Sequence, residues 1–195
     1  MRLFFAVELP DELRRRIAAG VFELRGVMPA ARWVRQGGWH ITLQFLGEQP
    51  PAVVDPLSRE TAEALGDCRE VTVALNGGGF FPTPTRPRVA WLGGRAEGLE
   101  AWAECLQRCS RRHGIADEEG RPFKVHLTLA RLPQPWPANA VERYLRTVEG
   151  WRLPPFEARE VVLFASELAA DGARYTPVRR FAVGRRPAGG GGGGA

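Results

Sequence analysis

The sequence predicts an α+β fold of two similar lobes, and three observations carry that prediction. A strand, helix, strand order occurs twice along the 195 residues. Each copy ends in a His-x-Thr strand, His40-Ile41-Thr42 in the first half and His126-Leu127-Thr128 in the second. Phe5 in the opening strand precedes His40 by 35 residues, and Trp91 precedes His126 by the same interval. Neither unit can bury its own apolar face, so the simplest packing sets two similar lobes together with their His-x-Thr strands facing across a cleft.

The elements follow from local pattern. Arg2 to Leu9, with Leu3, Phe5 and Val7 in alternation, reads as a strand, and Pro10-Asp11 opens a helix to about Gly26. Leu13, Ile17, Val21 and Leu24 form its apolar stripe, leaving Arg14, Arg15 and Arg16 as expected solvated surface. Gly37-Gly38 punctuates the chain before a strand from Trp39 to Gly47, and Pro50-Pro51 precedes a helix to about Leu65. Val71 to Leu75 is a strand running into the glycine-rich stretch Asn76 to Pro82. Arg88 to Gly93 is a strand, Glu97 to Gly114 a helix and Val125 to Ala130 a strand. A helix from Ala138 to Val148 and strands Arg159 to Ala165 and Tyr175 to Val183 complete a single domain over residues 1–184. The tail, residues 185–195, is arginine, proline and glycine and is expected to be disordered.

Composition bounds the function. With 44% apolar residues the chain can bury a sizeable core without staples. Cys68, Cys105 and Cys109 form no CxxC pair, which fits reduced thiols in a cytoplasmic protein. No apolar run approaches the ~20 residues a bilayer span requires, so no membrane partner is expected. The formal charge of +5 admits a polyanionic partner without requiring one. Lys124 is the only lysine, every other side-chain cation apart from histidine being arginine.

The motif spacing carries chemistry. Side chains two apart on a strand share a face, so His40 and Thr42 project together, as do His126 and Thr128, while Ile41, Leu43, Leu127 and Leu129 project oppositely. In-line displacement at phosphorus needs a base on the entering oxygen and an acid on the leaving one, and histidine is fitted to both jobs near neutral pH. Threonine hydroxyls can donate to the non-bridging oxygens. The third histidine, His113, lies in a helix, and neither motif sits near an HExxH or an acidic triad. No metal and no cofactor are therefore expected.

The segments Trp39 to Gly47 and Pro122 to Arg131 resemble the two signature strands of the 2H phosphoesterase superfamily. The nearest branch is the RNA 2′,3′-cyclic phosphodiesterases, also called 2′-5′ RNA ligases. Leu3 to Val7 resembles that family's opening strand, and Gly79 to Pro82 with Pro87 to Gly93 its middle segment. The resemblance implies a bilobal α+β fold with a pseudo-twofold axis, mainly antiparallel sheets lining a central cleft and helices outside. It also implies that His40 is the proton donor and His126 the proton acceptor. Thr42 and Thr128 would hold the phosphate of RNA ends or nucleotides bearing a 2′,3′-cyclic phosphate, leaving a 2′-phosphate. The chain departs from many members, which have proline or another small residue before the second histidine, by carrying Lys124-Val125.

Arg131 closes the second motif, where a guanidinium could reach phosphate. Phe123 and Trp33 are candidate base-stacking residues, and Arg32, Arg35, Arg86 and Arg88 a candidate basic rim. Trp39, Phe45, Phe81 and Trp91, also near the motifs, read as core. A monomer is expected. Three other readings share these residues: ATP-independent 2′-5′ RNA ligation at the same site, an RNA-end binding module without turnover, and action on a small cyclic phosphate.

Overall fold

The computed structural model describes residues 1–116, 123–169 and 172–185. Pro122 and all of the tail beyond Arg185 lie outside them. In chain order the elements are β1 (Arg2–Glu8), α1 (Asp11–Val27), β2 (Arg32–Trp33), β3 (His40–Glu48), α2 (Val54–Gly66), β4 (Val71–Thr83), β5 (Arg86–Arg95), α3 (Leu99–Arg112), β6 (His126–Arg131), α4 (Ala138–Glu149), β7 (Phe156–Ala158), β8 (Glu160–Ala169) and β9 (Gly172–Ala182).

The strands join in the order β7-β4-β5-β6-β3-β1-β8-β9, every pairing antiparallel. One half-sheet, β9-β8-β1-β3, ends in the first motif strand, and the other, β6-β5-β4-β7, begins with the second. Where the sequence predicts motif strands facing across a cleft, the structure sets them edge to edge. They meet at a single bridge, Ile41 opposite Leu127. The same edge of β6 then pairs Ala130 and Arg131 with Trp33 and Arg32 of β2. That short strand takes the hydrogen-bonding groups that β3 would otherwise use, so the half-sheets part beyond the bridge.

One face of the sheet carries the core. The stripe of α1 is buried, Leu13, Ile17, Val21 and Leu24 all under 5% exposed, and it joins Leu3, Phe5 and Val7 of β1 and the inward residues of both motif strands. The other face of the first half-sheet carries a smaller cluster of Phe4, Ala6, Val162 and Phe164, with Tyr175 packed on it. Leu3 to Val7 is buried throughout, as expected of a strand covered on both sides.

Strand β4 runs straight through the glycine-rich stretch that the sequence presents as its end. One glycine of β4 and one of β5 make room for the Trp91 indole: a Cβ on Gly79 would collide with its ring, and one on Gly93 would lie 2.8 Å from its Cζ3. A register shift between Leu75 and Gly78, with Gly77 at φ +64°, accommodates the bend. Strands β2 and β7 were not predicted, being three residues or fewer. Among the described residues no helix is long and apolar enough to cross a membrane.

Candidate active site

Both motif strands alternate as the sequence requires, and the join of the half-sheets brings the motifs together. Ile41, Leu127 and Leu129 are fully buried and Leu43 nearly so, while His40, Thr42, His126 and Thr128 are half-buried on the opposite face. Antiparallel register around the Ile41–Leu127 bridge sets His40 beside Thr128 and Thr42 beside His126. The result is a small patch holding two imidazoles and two hydroxyls.

Each imidazole is tied to the carbonyl two residues before it. Nδ1 of His126 lies 2.8 Å from the Lys124 carbonyl oxygen, and a ring N–H of His40 donates to the Gly38 carbonyl. A carbonyl can only accept, so the His126 bond fixes the Nδ1–H tautomer and leaves Nε2 for chemistry.

The surroundings of the two rings differ. His40 is packed among aromatic rings, with centroids 4.8 Å from Phe4, 4.9 Å from Tyr175 and 6.2 Å from Phe164. Burial, opposed by the Gly38 bond and reinforced by the nearby His126, Arg14 and Arg131, pushes its pKa from 6.5 down to about 4. His126 meets Phe81 edge-on at 5.0 Å and lies 6.4 Å from Trp91, whose ring carries Lys124 Nζ 4.4 Å above its centroid.

The depressed pKa has a stability consequence of defined sign. Above pH 6.5 His40 is neutral in both the folded and unfolded chain. As pH falls from about 6.5 to about 4 the unfolded chain takes up a proton that the folded chain refuses, which removes roughly 3 kcal/mol of stability. The expected result is that His40→Asn, compared with the parent by urea unfolding at pH 7 and pH 4.5, loses less stability on acidification. An NMR titration of His40 should have its midpoint near 4 without ligand. Inorganic phosphate should raise that midpoint, because an anion in the patch favours the imidazolium.

A register shift after each motif places two further residues. In β3 the ladder to β1 slips between Thr42 and Gln44, so Leu43 and Gln44 both turn inward; Gln44 is 4% exposed and accepts a 2.9 Å bond from Ser110 of α3. In β6 the ladder to β5 slips between Thr128 and Ala130, and Leu129 and Ala130 are both fully buried. Each slip returns the next residue to the histidine face. Those residues are Phe45, 43% exposed with its ring 5.9 Å from Phe4, and Arg131, exposed and close enough to depress His40. They occupy equivalent positions in the two lobes and offer opposite chemistry, an aromatic face and a guanidinium.

Several sequence expectations change. Phe45 and Trp91 are not simply core: Phe45 is open on the histidine face, and Trp91, though buried, packs beside His126. Trp91 and Phe5 are equally spaced from their histidines yet are not counterparts, because Trp91 pairs with Thr128 whereas Ala6 pairs with Thr42. Trp33 packs against Trp136 at 6.2 Å with Arg25 over its ring, and Phe123 is packed against the core. Arg14 is not solvated: its side chain is 15% exposed, 3.6 Å from Glu8, and its Nε donates to the Leu9 carbonyl. Arg32, Arg35, Arg86 and Arg88 are all exposed. His113 stands apart from the motifs, 2.9 Å from Glu60.

The profile of the family described as LigT like Phosphoesterase matches residues 7–91 and 93–175. The chain is 31% identical over 184 residues to the RNA 2′,3′-cyclic phosphodiesterase of Archaeoglobus fulgidus, covering 93% of this chain and 99% of that protein. A crystal structure from Thermus thermophilus superposes with a TM-score of 0.76 at 29% identity, covering 94% of this chain and 98% of that one. That of Escherichia coli LigT complexed with 3′-AMP does so with a TM-score of 0.68 at 31% identity, covering 93% and 97%.

Proposed function

The chain belongs to the LigT-like phosphoesterases, and from that premise we propose that it hydrolyses 2′,3′-cyclic phosphate ends of RNA to 2′-phosphates, with His126 as base and His40 as acid. The observation that carries the reading is the pair of His-x-Thr strands meeting at one bridge, each imidazole tied back to the carbonyl two residues earlier.

The steps balance without a resident cofactor. Nε2 of His126 takes a proton from water as the water oxygen attacks phosphorus. The bond from phosphorus to O3′ breaks, and His40 delivers its proton to that oxygen, leaving the phosphate on O2′. Thr42 and Thr128 donate to the non-bridging oxygens, and Arg131 balances the charge that builds on them. The low pKa of His40 fits an acid that charges as substrate arrives. A phosphate anion beside the ring favours the imidazolium against burial, the main cause of the low pKa, and against the smaller repulsion from His126, Arg14 and Arg131, so substrate and proton enter together.

Phe45 supplies a platform for the terminal base. Both imidazoles come from one chain, which fits action as a monomer, and three free cysteines fit a cytoplasmic setting. Digestion of a short RNA ending in a 2′,3′-cyclic phosphate tests the reading: the expected product carries a 2′-phosphate and a free 3′-hydroxyl. A 3′-phosphate product would reverse the roles of the two histidines, and an unchanged substrate would overturn the proposal.

A further inference from the structure

Strand β9 lies at the far edge of the first half-sheet, with β8 and β1 between it and β3, yet it sends one side chain to the His40 ring. Tyr175 pairs with Ser166 of β8 and is half-buried. Its ring centroid lies 4.9 Å from that of His40 and 5.2 Å from that of Phe4, edge-on to both at 88° and 80°. The same ring lies over Gly38, where a Cβ would come 3.5 Å from Tyr175 Cε2. Tyr175 thus meets the imidazole, the phenyl ring packed on it and the residue whose carbonyl accepts its N–H.

His126 has a matching neighbour: Phe81 of β4 meets it edge-on at 5.0 Å and 89°. Tyr175 and Phe81 are not counterparts, since β9 is the third strand out from β3 whereas β4 is the second out from β6. The two lobes therefore reach one geometry from different strands, which repetition of a lobe does not supply. Edge-to-face contact at this separation is a favoured packing of aromatic rings. A single bond from one ring nitrogen leaves the imidazole free to swing about that bond, and packing against its edge removes the freedom. Proton delivery depends on such fixing, because a nitrogen displaced by about 1 Å loses much of its rate advantage.

Resting on the cyclic-phosphate reading above, in which His40 is the acid, we propose that Tyr175 is a positioning residue: its ring closes over His40 and holds the imidazole on Phe4 in the orientation that protonates O3′. The role belongs to the ring and not to the hydroxyl, so phenylalanine should serve as well. The charged and titratable groups around His40 are His126 and Arg131 of β6, Arg14 of α1 and Glu8 of β1, the last engaged by Arg14 at 3.6 Å and Arg180 at 2.7 Å. Replacing Tyr175 leaves all of them in place, and a change in the titration of His40 then reports the lost cover.

Tyr175→Ala and Tyr175→Phe are compared with the parent in two measurements. In an NMR titration without ligand, the His40 midpoint should rise by about one pH unit in Tyr175→Ala, because water reaches the imidazolium, and stay at the parent's value in Tyr175→Phe. On a 2′,3′-cyclic mononucleotide, each protein at its own pH optimum, kcat should fall about tenfold in Tyr175→Ala with little change in KM, and Tyr175→Phe should keep the parent's rate. Tyr175→Leu, which fills much of the volume without a ring edge, should fall between them and replaces Tyr175→Ala if that chain does not fold. A His40 midpoint or a kcat unchanged in Tyr175→Ala would overturn the assignment, as would a Tyr175→Phe enzyme as slow as Tyr175→Ala. No turnover by the parent would overturn the cyclic-phosphate reading instead, and the titration would still decide whether Tyr175 covers His40.

Discussion

Replacing His40 or His126 by alanine is expected to lower kcat on a cyclic-phosphate substrate by about 10²- to 10⁴-fold each, the range of a lost general acid or base. The two replacements together should cost little more than one, because acid and base act in one displacement and neither works alone. Asparagine is the sharper substitution at position 126. Its amide can still donate to the Lys124 carbonyl as Nδ1–H does, but it has nothing at the position of Nε2. If His126 acts through Nε2, His126→Asn should be as inactive as His126→Ala while unfolding at nearly the parent's temperature. A His126→Asn enzyme within tenfold of the parent would remove that residue from the proton transfer. For His40, loss of rate must be separated from loss of the ring that packs on Phe4, Phe164 and Tyr175. His40→Gln, larger than alanine and unable to donate as an acid, serves that purpose.

Arg131→Ala is the second large effect, expected at about 10²- to 10³-fold in kcat, the scale on which removing one preorganised donor to a developing oxyanion acts. Arg131→Lys should recover only part, since an ammonium cannot reproduce the two-pronged contact of a guanidinium with phosphate oxygens. A second readout separates this role from a structural one. Arg131 is among the charges that hold the His40 pKa down, so its removal should raise the His40 titration midpoint in the unliganded protein. Phe45, at the equivalent position of the other lobe, should behave differently: Phe45→Ala is expected to raise KM and leave kcat nearer the parent, because a stacking platform holds the base in ground state and transition state alike. Equal effects of both replacements on kcat would contradict the division between phosphate end and base end.

How much of this could be read in the sequence depends on the period of the strands. His40, Thr42, His126 and Thr128 obey strict alternation against Ile41, Leu43, Leu127 and Leu129, so their common face was legible. Phe45 and Arg131 break that alternation. Each reaches the histidine face only because the ladder slips one residue earlier, and a bulge has no side-chain signature in Leu43-Gln44 or Leu129-Ala130. The same limit explains Phe4. In the continuous run Leu3 to Val7 nothing marks which apolar residues face the helices and which face His40.

Longer-range features were less accessible still. The glycines of β4 suggest a turn by composition, whereas Gly79 lies flat against the Trp91 ring of the neighbouring strand and Gly78 against Val148 of α4, contacts no local window contains. Arg14 looks solvated on a helical wheel. Its partner Glu8 lies at the end of β1, across the turn into α1, where it also receives Arg180 from β9 at 2.7 Å. The parting of the half-sheets beyond Ile41–Leu127 is likewise set by β2, two residues long and without a sequence signal.

Two imidazoles, tied back to Lys124 and Gly38, should perform the displacement by themselves. Turnover of a 2′,3′-cyclic mononucleotide by protein dialysed against EDTA and assayed in its presence tests this most directly. The expected rate equals that of untreated protein and is unchanged by added magnesium, manganese or zinc. A rate that disappears in EDTA and returns with one of those ions would contradict the two-histidine mechanism.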